Sequence, residues 1–243
     1  MLEAAVWGII AASSLVVGSL LTFWLKPSRR LIGLIMAFGA GTLISAIAYD
    51  LVEDAAASGR ALALAAGLAL GAITFFIGDW WVDRAGGAHR KRSSGQQAQA
   101  QRDSFGIFIG TLLDGIPESF ILGASLVTGG GVSVAFLVAV FISNLPEAMG
   151  ATTGMATAGW PKRRILGIWL AVAAMSAAAA AIGYAFTAAM SLDGVLTQAF
   201  AAGALLTMLS DSMVPEAHEN GGNAVGLLTV LGFAVAFALS QLT

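Results

Sequence analysis

Hydrophobic residues occur along this chain in long runs that short polar segments interrupt. Eight of these runs hold about 20 residues with few charges, which is enough for a helix to cross the roughly 30 Å hydrocarbon core of a bilayer. We therefore predict an all-α polytopic membrane protein, with eight transmembrane helices in a single transmembrane domain over residues 1–243. The predicted spans are 4–25, 30–53, 59–81, 104–128, 132–156, 165–188, 195–217 and 222–242.

Composition agrees with lipid as the solvent of the chain. Of the 243 residues, 58% are hydrophobic and 11% are charged, and the mean hydropathy is +0.84. These values are too apolar for a water-soluble domain of this length. Cysteine is absent, which excludes disulfides and thiolate metal sites.

Basic residues predict the orientation in the membrane. Lys and Arg concentrate in the cytoplasmic loops of membrane proteins, and eleven of the twelve here fall in three alternate loops. They are Lys26, Arg29, Arg30, Arg84, Arg90, Lys91, Arg92, Arg102, Lys162, Arg163 and Arg164. We therefore expect a multi-pass protein of the cell's inner (plasma) membrane with both termini outside and a polar cytoplasmic loop over residues 83–103. The pattern does not suggest nucleic acid as a partner.

An internal repeat suggests a transporter architecture. Residues 37–55 align without gaps on residues 199–217, 162 positions later, with seven identities over 19 positions. Helices two and seven would cross the membrane in opposite directions. The alignment therefore predicts an inverted repeat of helices 1–3 and 6–8 around helices 4–5, as in secondary transporters with a substrate site near the midplane. Chance similarity between two helices rich in Ala, Gly and Leu is the alternative.

Helices four and five each carry a Pro-Glu pair in mid-span. The polar residues there are Asp114, Glu118, Ser143, Asn144 and Glu147. Ionisable residues inside a membrane are expensive to bury and generally functional. Each proline also leaves the carbonyl four residues earlier without its helical partner. The resulting set of oxygen atoms is suited to a divalent cation, although kinked helices with protonated or hydrogen-bonded carboxylates would show the same pattern.

Helix seven carries a third Pro-Glu pair. Asp211 falls within the predicted span, and we include it among the candidate metal ligands. Glu216 and His218 fall near the cytoplasmic end of the helix, where a solvated helix end explains them as well as an ion site does. Asp50 and Asp79 lie near predicted helix ends, and we interpret them as interfacial.

These motifs resemble those of the ZIP (Zrt/Irt-like) family of divalent metal transporters, in its bacterial form. The segments that carry the resemblance are Asp114-Gly-Ile-Pro-Glu118, Asn144-Leu-Pro-Glu147 and Val214-Pro-Glu-Ala-His218. The resemblance implies eight helices, a metal site on helices four and five, and a homodimer in the lipid bilayer. It also implies movement of metal into the cytoplasm as one block of helices slides past another. Because the metal is then the substrate, we expect neither a resident cofactor nor an enzyme.

The chain departs from the family pattern at the expected nitrogen ligands. Where the family has His-Asn-x-Pro-Glu-Gly in helix four, this chain has Asp114, Gly115 and Ser119 in place of His, Asn and the last Gly. Imidazole suits zinc, whereas carboxylate and amide oxygens suit harder ions. The resemblance therefore keeps zinc first, and the substitutions favour manganese or iron. Two alternatives remain: a degenerate member that binds or senses metal without transport, and an intramembrane metal-dependent enzyme, for which no His-Glu-x-x-His pattern is present.

Overall fold

The structure is a computed structural model that describes residues 1–82, 84, 115–127, 131–190 and 194–242. Over these ranges the chain is helical with no strand, which confirms the predicted all-α class. The helices are α1 (Leu2–Leu25), α2 (Arg29–Ala57), α3 (Ala61–Val82), α4 (Gly115–Val127), α5 (Val134–Thr157), α6 (Lys162–Met190), α7 (Gly194–Met208, continuing through Leu209–Met213 and Val214–Gly221) and α8 (Val225–Ser240).

Length and composition make six helical stretches of the described chain sufficient to cross a membrane. Five are α1, α2, α3, α5 and α6, and the sixth is the 47-residue stretch Gly194–Ser240, which contains both α7 and α8. At 1.5 Å per residue a straight helix of that length would extend about 70 Å, more than twice the bilayer core. Gly222 interrupts it with φ 69° and ψ −150°, a conformation open to glycine because it lacks a Cβ. The helices are thus compatible with a multi-pass membrane protein.

Helices α2 and α7 each contain a turn of π-helix, a wider turn that appears mostly as a single interruption of an α-helix. The π segments are Ile47–Glu53 in α2 and Leu209–Met213 in α7. Their first residues are 162 positions apart, which is the offset of the sequence alignment. The same local distortion therefore begins at aligned positions of the two helices.

Glycines bring α2 and α8 into backbone contact. A methyl group added at Gly41 would overlap the carbonyl oxygen of Thr229, and one added at Gly232 would overlap the carbonyl oxygen of Phe38. Such contacts require the smallest residue, because any side chain would force the backbones apart.

The α3 and α7 pair repeats this arrangement. A methyl group added at Gly203 would overlap the carbonyl oxygen of Leu68, and one added at Gly71 would overlap the carbonyl oxygen of Phe200. In the 162-residue alignment, Gly203 and Phe200 are the counterparts of the glycine and the phenylalanine that α2 contributes to its contact with α8. The two helix pairs therefore pack through equivalent positions of α2 and α7.

Glycine contacts also join α1, α4, α5 and α6. The tight positions are Gly8 against Ser176, Gly18 against Leu145, Gly123 against Ala180 and Gly183 against Phe120. A hydrophobic cluster with Leu15, Met155 and Trp169 lies wholly on α1, α5 and α6. We refer to α2, α3, α7 and α8 as the first group and to α1, α4, α5 and α6 as the second group.

Helices α2 and α5 form a long antiparallel contact between the two groups. Three contacts follow opposite orders along the two helices: Ile32 with Gly150, Gly39 with Ser143, and Asp50 with Ser133. We call the end where α2 begins at Arg29 the basic end. The opposite end, where α2 carries Asp50, Glu53 and Asp54, is the acidic end.

Candidate metal site

Among the predicted ligands that the structure describes, Glu118 is the most deeply buried carboxylate. Its side chain is only 1% exposed, and Ser119 beside it is buried as well. The buried neighbours Ile121 and Leu122, one turn further along α4, belong to the main hydrophobic cluster. The carboxylate of Glu118 thus lies on the inward side of a mostly apolar helix. Asp114, its predicted partner, lies outside the described residues.

Helix α5 supplies two further oxygen side chains in the interior. Ser143 is fully buried and Asn144 is 5% exposed, while Glu147 is half-buried. The hydroxyl of Ser143 donates to the carbonyl of Val140 at 2.9 Å. Because that bond uses only the hydroxyl proton, the lone pairs of Oγ keep their ability to accept or to ligate a cation.

Pro146 lies inside α5, one residue before Glu147. Without an amide hydrogen it leaves the carbonyl of Ile142 without the usual helical partner. Helix α2 passes close to this point, since a methyl group added at Gly39 would lie 2.9 Å from Cα of Ser143 and 3.3 Å from the carbonyl oxygen of Ile142. Ser143 therefore lies where the two helix groups meet.

The third Pro-Glu pair also approaches α5. The Oε1 atom of Glu216 lies 3.7 Å from the position that a Cβ on Gly150 would occupy. Gly150 follows Glu147 by three residues, and residues with this spacing lie on one face of a helix. Sequence reasoning placed Glu216 at a helix end, and its approach to α5 was visible only in three dimensions.

The remaining predicted residues of α7 are exposed. The side chain of Asp211, in the π segment Leu209–Met213, is exposed, in contrast to the buried Glu118. His218 is exposed near the basic end. Across the part of the chain that the structure describes, no group of three or more His, Asp or Glu side chains is placed to hold a metal ion. A three-carboxylate site with Asp114 would involve a residue outside that part.

Asp50 makes a contact that its sequence position did not predict. Its Oδ2 accepts a hydrogen bond from Oγ of Ser133 at 2.8 Å, across 83 residues of sequence. Ser133 caps α5, because the same Oγ accepts the amide hydrogen of Phe136 at 3.1 Å. The carboxylate of Asp50 therefore lies at the N-terminus of α5.

The described helices form a bundle of apolar helices with a carboxylate buried beside a proline. No family model matches the chain, and no curated protein matches it. The resemblance in the Pro-Glu motifs consequently stands on the residues that carry it, together with the geometry described above.

Proposed function

We propose that the chain is a ZIP-type transporter that moves a divalent metal cation into the cytoplasm through a carboxylate site between α4 and α5. The observation that carries the proposal is the burial of Glu118, at 1% exposure, beside a proline in an apolar bundle. A buried carboxylate is unfavourable unless it gains a compensating interaction. In membrane proteins such residues commonly mark an ion or substrate pathway.

The proposed ligand set combines the two proline-bearing helices. It consists of Glu118, Ser143, Asn144 and Glu147, with Asp114 added from the sequence. All of these residues offer oxygen, which harder cations prefer, whereas the resemblance implies zinc. Zinc, manganese and iron are therefore the candidate substrates, and the metal enters as cargo rather than as a resident cofactor.

The directions of the helices support eight membrane crossings. The α2 and α8 pair is parallel, since Gly41 contacts Thr229 and the ring of Tyr49 lies 4.8 Å from that of Phe237. The α3 and α7 pair is parallel by the same criterion. Gly67 lies against Leu196 and Ala199, and Gly71, one turn further along α3, lies against Phe200 and Ala204, about one turn further along α7. Between α3 and α7 the chain passes through α4, α5 and α6. If every helix runs opposite to the one before it, α3 and α7 are parallel when α4 crosses the membrane and antiparallel when it does not. Their parallel packing therefore supports α4 as a crossing.

The equivalent packing of the two pairs supports the inverted repeat. Under a two-fold relation between helices 1–3 and helices 6–8, α2 corresponds to α7 and α8 corresponds to α3. The glycine contacts of α2 with α8 and of α7 with α3 follow this correspondence, as do the two π segments. Chance similarity between small-residue helices gives no reason for the packing to correspond as well.

The transport mechanism that we propose is a displacement of one helix group against the other. Each group is held together by glycine contacts that bring backbones together, and the long contact of α2 with α5 lies between the groups. Ser143 lies on that contact, so a displacement would carry the ligands of α5 past α2. From the basic residues and the resemblance we further propose a plasma-membrane homodimer, with both termini outside and the basic end in the cytoplasm.

Uptake by proteoliposomes tests the proposal. The purified chain would be offered zinc, manganese, iron, cobalt and cadmium separately, and we expect uptake of at least one of them. Glu118→Gln should abolish that uptake while the protein stays folded, because the amide keeps the shape and loses the charge. Glu3→Gln, which changes an exposed carboxylate of α1, is the matched control and should transport normally. Metal binding without uptake would favour a binding or sensing role, and wild-type uptake by Glu118→Gln would refute the site.

A further inference from the structure

The contact between Asp50 and Ser133 joins the two helix groups at the acidic end. Asp50 belongs to α2 in the first group, and Ser133 caps α5 in the second group. The carboxylate lies at the N-terminus of a 24-residue helix, where the aligned peptide dipoles favour a negative charge. The contact is therefore favourable, and it is made of two side chains that can separate without disrupting either helix.

Apolar packing lies between this contact and the proposed metal site. Ser133 precedes Ser143 by ten residues, or about 15 Å along a helix. Between them on α5, Phe136, Ala139 and Val140 are all at most 3% exposed. They share a hydrophobic cluster with residues of α2. The acidic end of the α2 and α5 contact is therefore closed in this structure.

Asp50 also lies in the π segment Ile47–Glu53. A π turn contains one residue more than the α-helical ladder accommodates, and such turns frequently occur at functional sites. The residue that joins the two groups thus lies on an irregular turn of α2, of the kind that often marks a functional site.

We infer that Asp50 is a positioning residue whose contact with Ser133 acts as a latch. The contact holds the acidic end of the α2 and α5 interface closed, and it must break before the proposed metal site opens to that side of the membrane. The inference rests on the proposed transport function, since it assigns the latch to one half of the transport cycle. It differs from a purely structural cap in one respect. A cap stays formed throughout the cycle, whereas a latch breaks once in each cycle.

Cross-linking tests whether the contact breaks. The chain contains no cysteine, so Asp50→Cys with Ser133→Cys can be bridged by a short, reducible bifunctional thiosulfonate without removing other thiols. We expect metal uptake to fall at least tenfold on bridging and to recover on reduction. Tyr49→Cys with Phe237→Cys, bridged in the same way by a reagent of matching length, joins two helices of one group and should leave uptake unchanged. Undiminished uptake by the bridged Asp50 and Ser133 variant would overturn the latch.

A labelling assay tests the latch without requiring transport. Ala139→Cys places a thiol at a position with 0% exposure, where a membrane-impermeant maleimide should react slowly. Adding Asp50→Ala should raise the labelling rate about tenfold or more, the effect of losing a hydrogen bond to a charged group. Asp50→Asn keeps an acceptor and should raise it less. Glu53→Ala, an exposed carboxylate of the same π segment, is the control and should not change it.

The two assays separate failure of the latch from failure of the proposed function. If Asp50→Ala leaves the labelling rate of Ala139→Cys unchanged, the latch is wrong whether or not the protein transports metal. If labelling rises as expected but the wild-type chain takes up none of the metals offered, the transport function is wrong and the opening motion belongs to another activity. Thermal unfolding of each variant would show that the labelled protein is folded.

Discussion

Replacing Gly41 with alanine should destabilise the bundle, because the added methyl group has no space. It would overlap the carbonyl oxygen of Thr229 and would also meet the amide nitrogen of Phe233 at 2.8 Å. Ordinary contact needs about 3.5–4.0 Å, and the obstacle is backbone rather than a flexible side chain. Helices α2 and α8 would have to separate by roughly 1 Å or more to accommodate it.

The expected loss of stability in Gly41→Ala is the difference between two opposing effects. Overpacking costs about 1–3 kcal/mol, and a backbone obstacle places Gly41→Ala toward the upper part of that range. Alanine is better than glycine in a helix by about 1 kcal/mol. We therefore expect a net loss of about 1–2 kcal/mol. The equivalence of α2 and α7 predicts a similar loss for Gly203→Ala, because its methyl group would overlap the carbonyl oxygen of Leu68 in the same way.

Thermal unfolding in detergent, followed by tryptophan fluorescence, would measure the change. Gly226→Ala is the matched control, since nothing lies within 4 Å of the added Cβ, and it should be neutral or slightly stabilising. Equal stability of Gly41→Ala and Gly226→Ala would show that α2 and α8 do not approach as described. A loss at Gly41 without a loss at Gly203 would contradict the equivalence of the two helix pairs.

Two further predictions concern a buried hydrogen bond and the choice of metal. Trp169→Phe should cost about 1–3 kcal/mol, because it leaves the buried hydroxyl of Thr152 without its donor; the indole nitrogen of Trp169 donates to that hydroxyl at 2.9 Å. Adding Thr152→Val should cost less than a second independent substitution, and strict additivity in a double-mutant cycle would contradict the coupling. Asp114→His restores the imidazole of the ZIP pattern and should shift uptake from manganese toward zinc; competition between the two metals would measure it, and unchanged selectivity would remove Asp114 from the ligand set.

Hydropathy predicts the class of fold because each membrane crossing needs a long apolar run. It marks the ends of helices less well, because polar residues can continue a helix beyond the apolar run. Thus α2 was predicted over 30–53, whereas its helix continues to Ala57, and α6 was predicted from 165, whereas its helix begins at Lys162. The π segments leave no signal in hydropathy at all.

Part of the candidate site was accessible from sequence for a specific physical reason. Proline and a carboxylate are both unfavourable inside an apolar helix, so their joint appearance at Pro117 and Glu118 and at Pro146 and Glu147 stands out. The burial of these side chains could not be predicted in this way: the sequence alone does not show that Glu118 faces inward and that Asp211 is exposed. The contact of Asp50 with Ser133 joins residues 83 positions apart, and neither residue belongs to a recognisable motif.

The contact between α2 and α5 has two features that suit the proposed displacement of the helix groups. Its middle brings Gly39 against Ser143, next to the carbonyl that Pro146 leaves open, and glycine there lets the two backbones pass closely. Its acidic end holds the hydrogen bond between Ser133 and Asp50, on a π turn of α2. For one helix group to move past the other, the two backbones must pass closely without large side chains between them, and the contact at the acidic end must be able to break. A residue larger than glycine at position 39 should therefore slow metal uptake more than it lowers the stability of the protein, because it obstructs the contact between the groups and not the packing within either group.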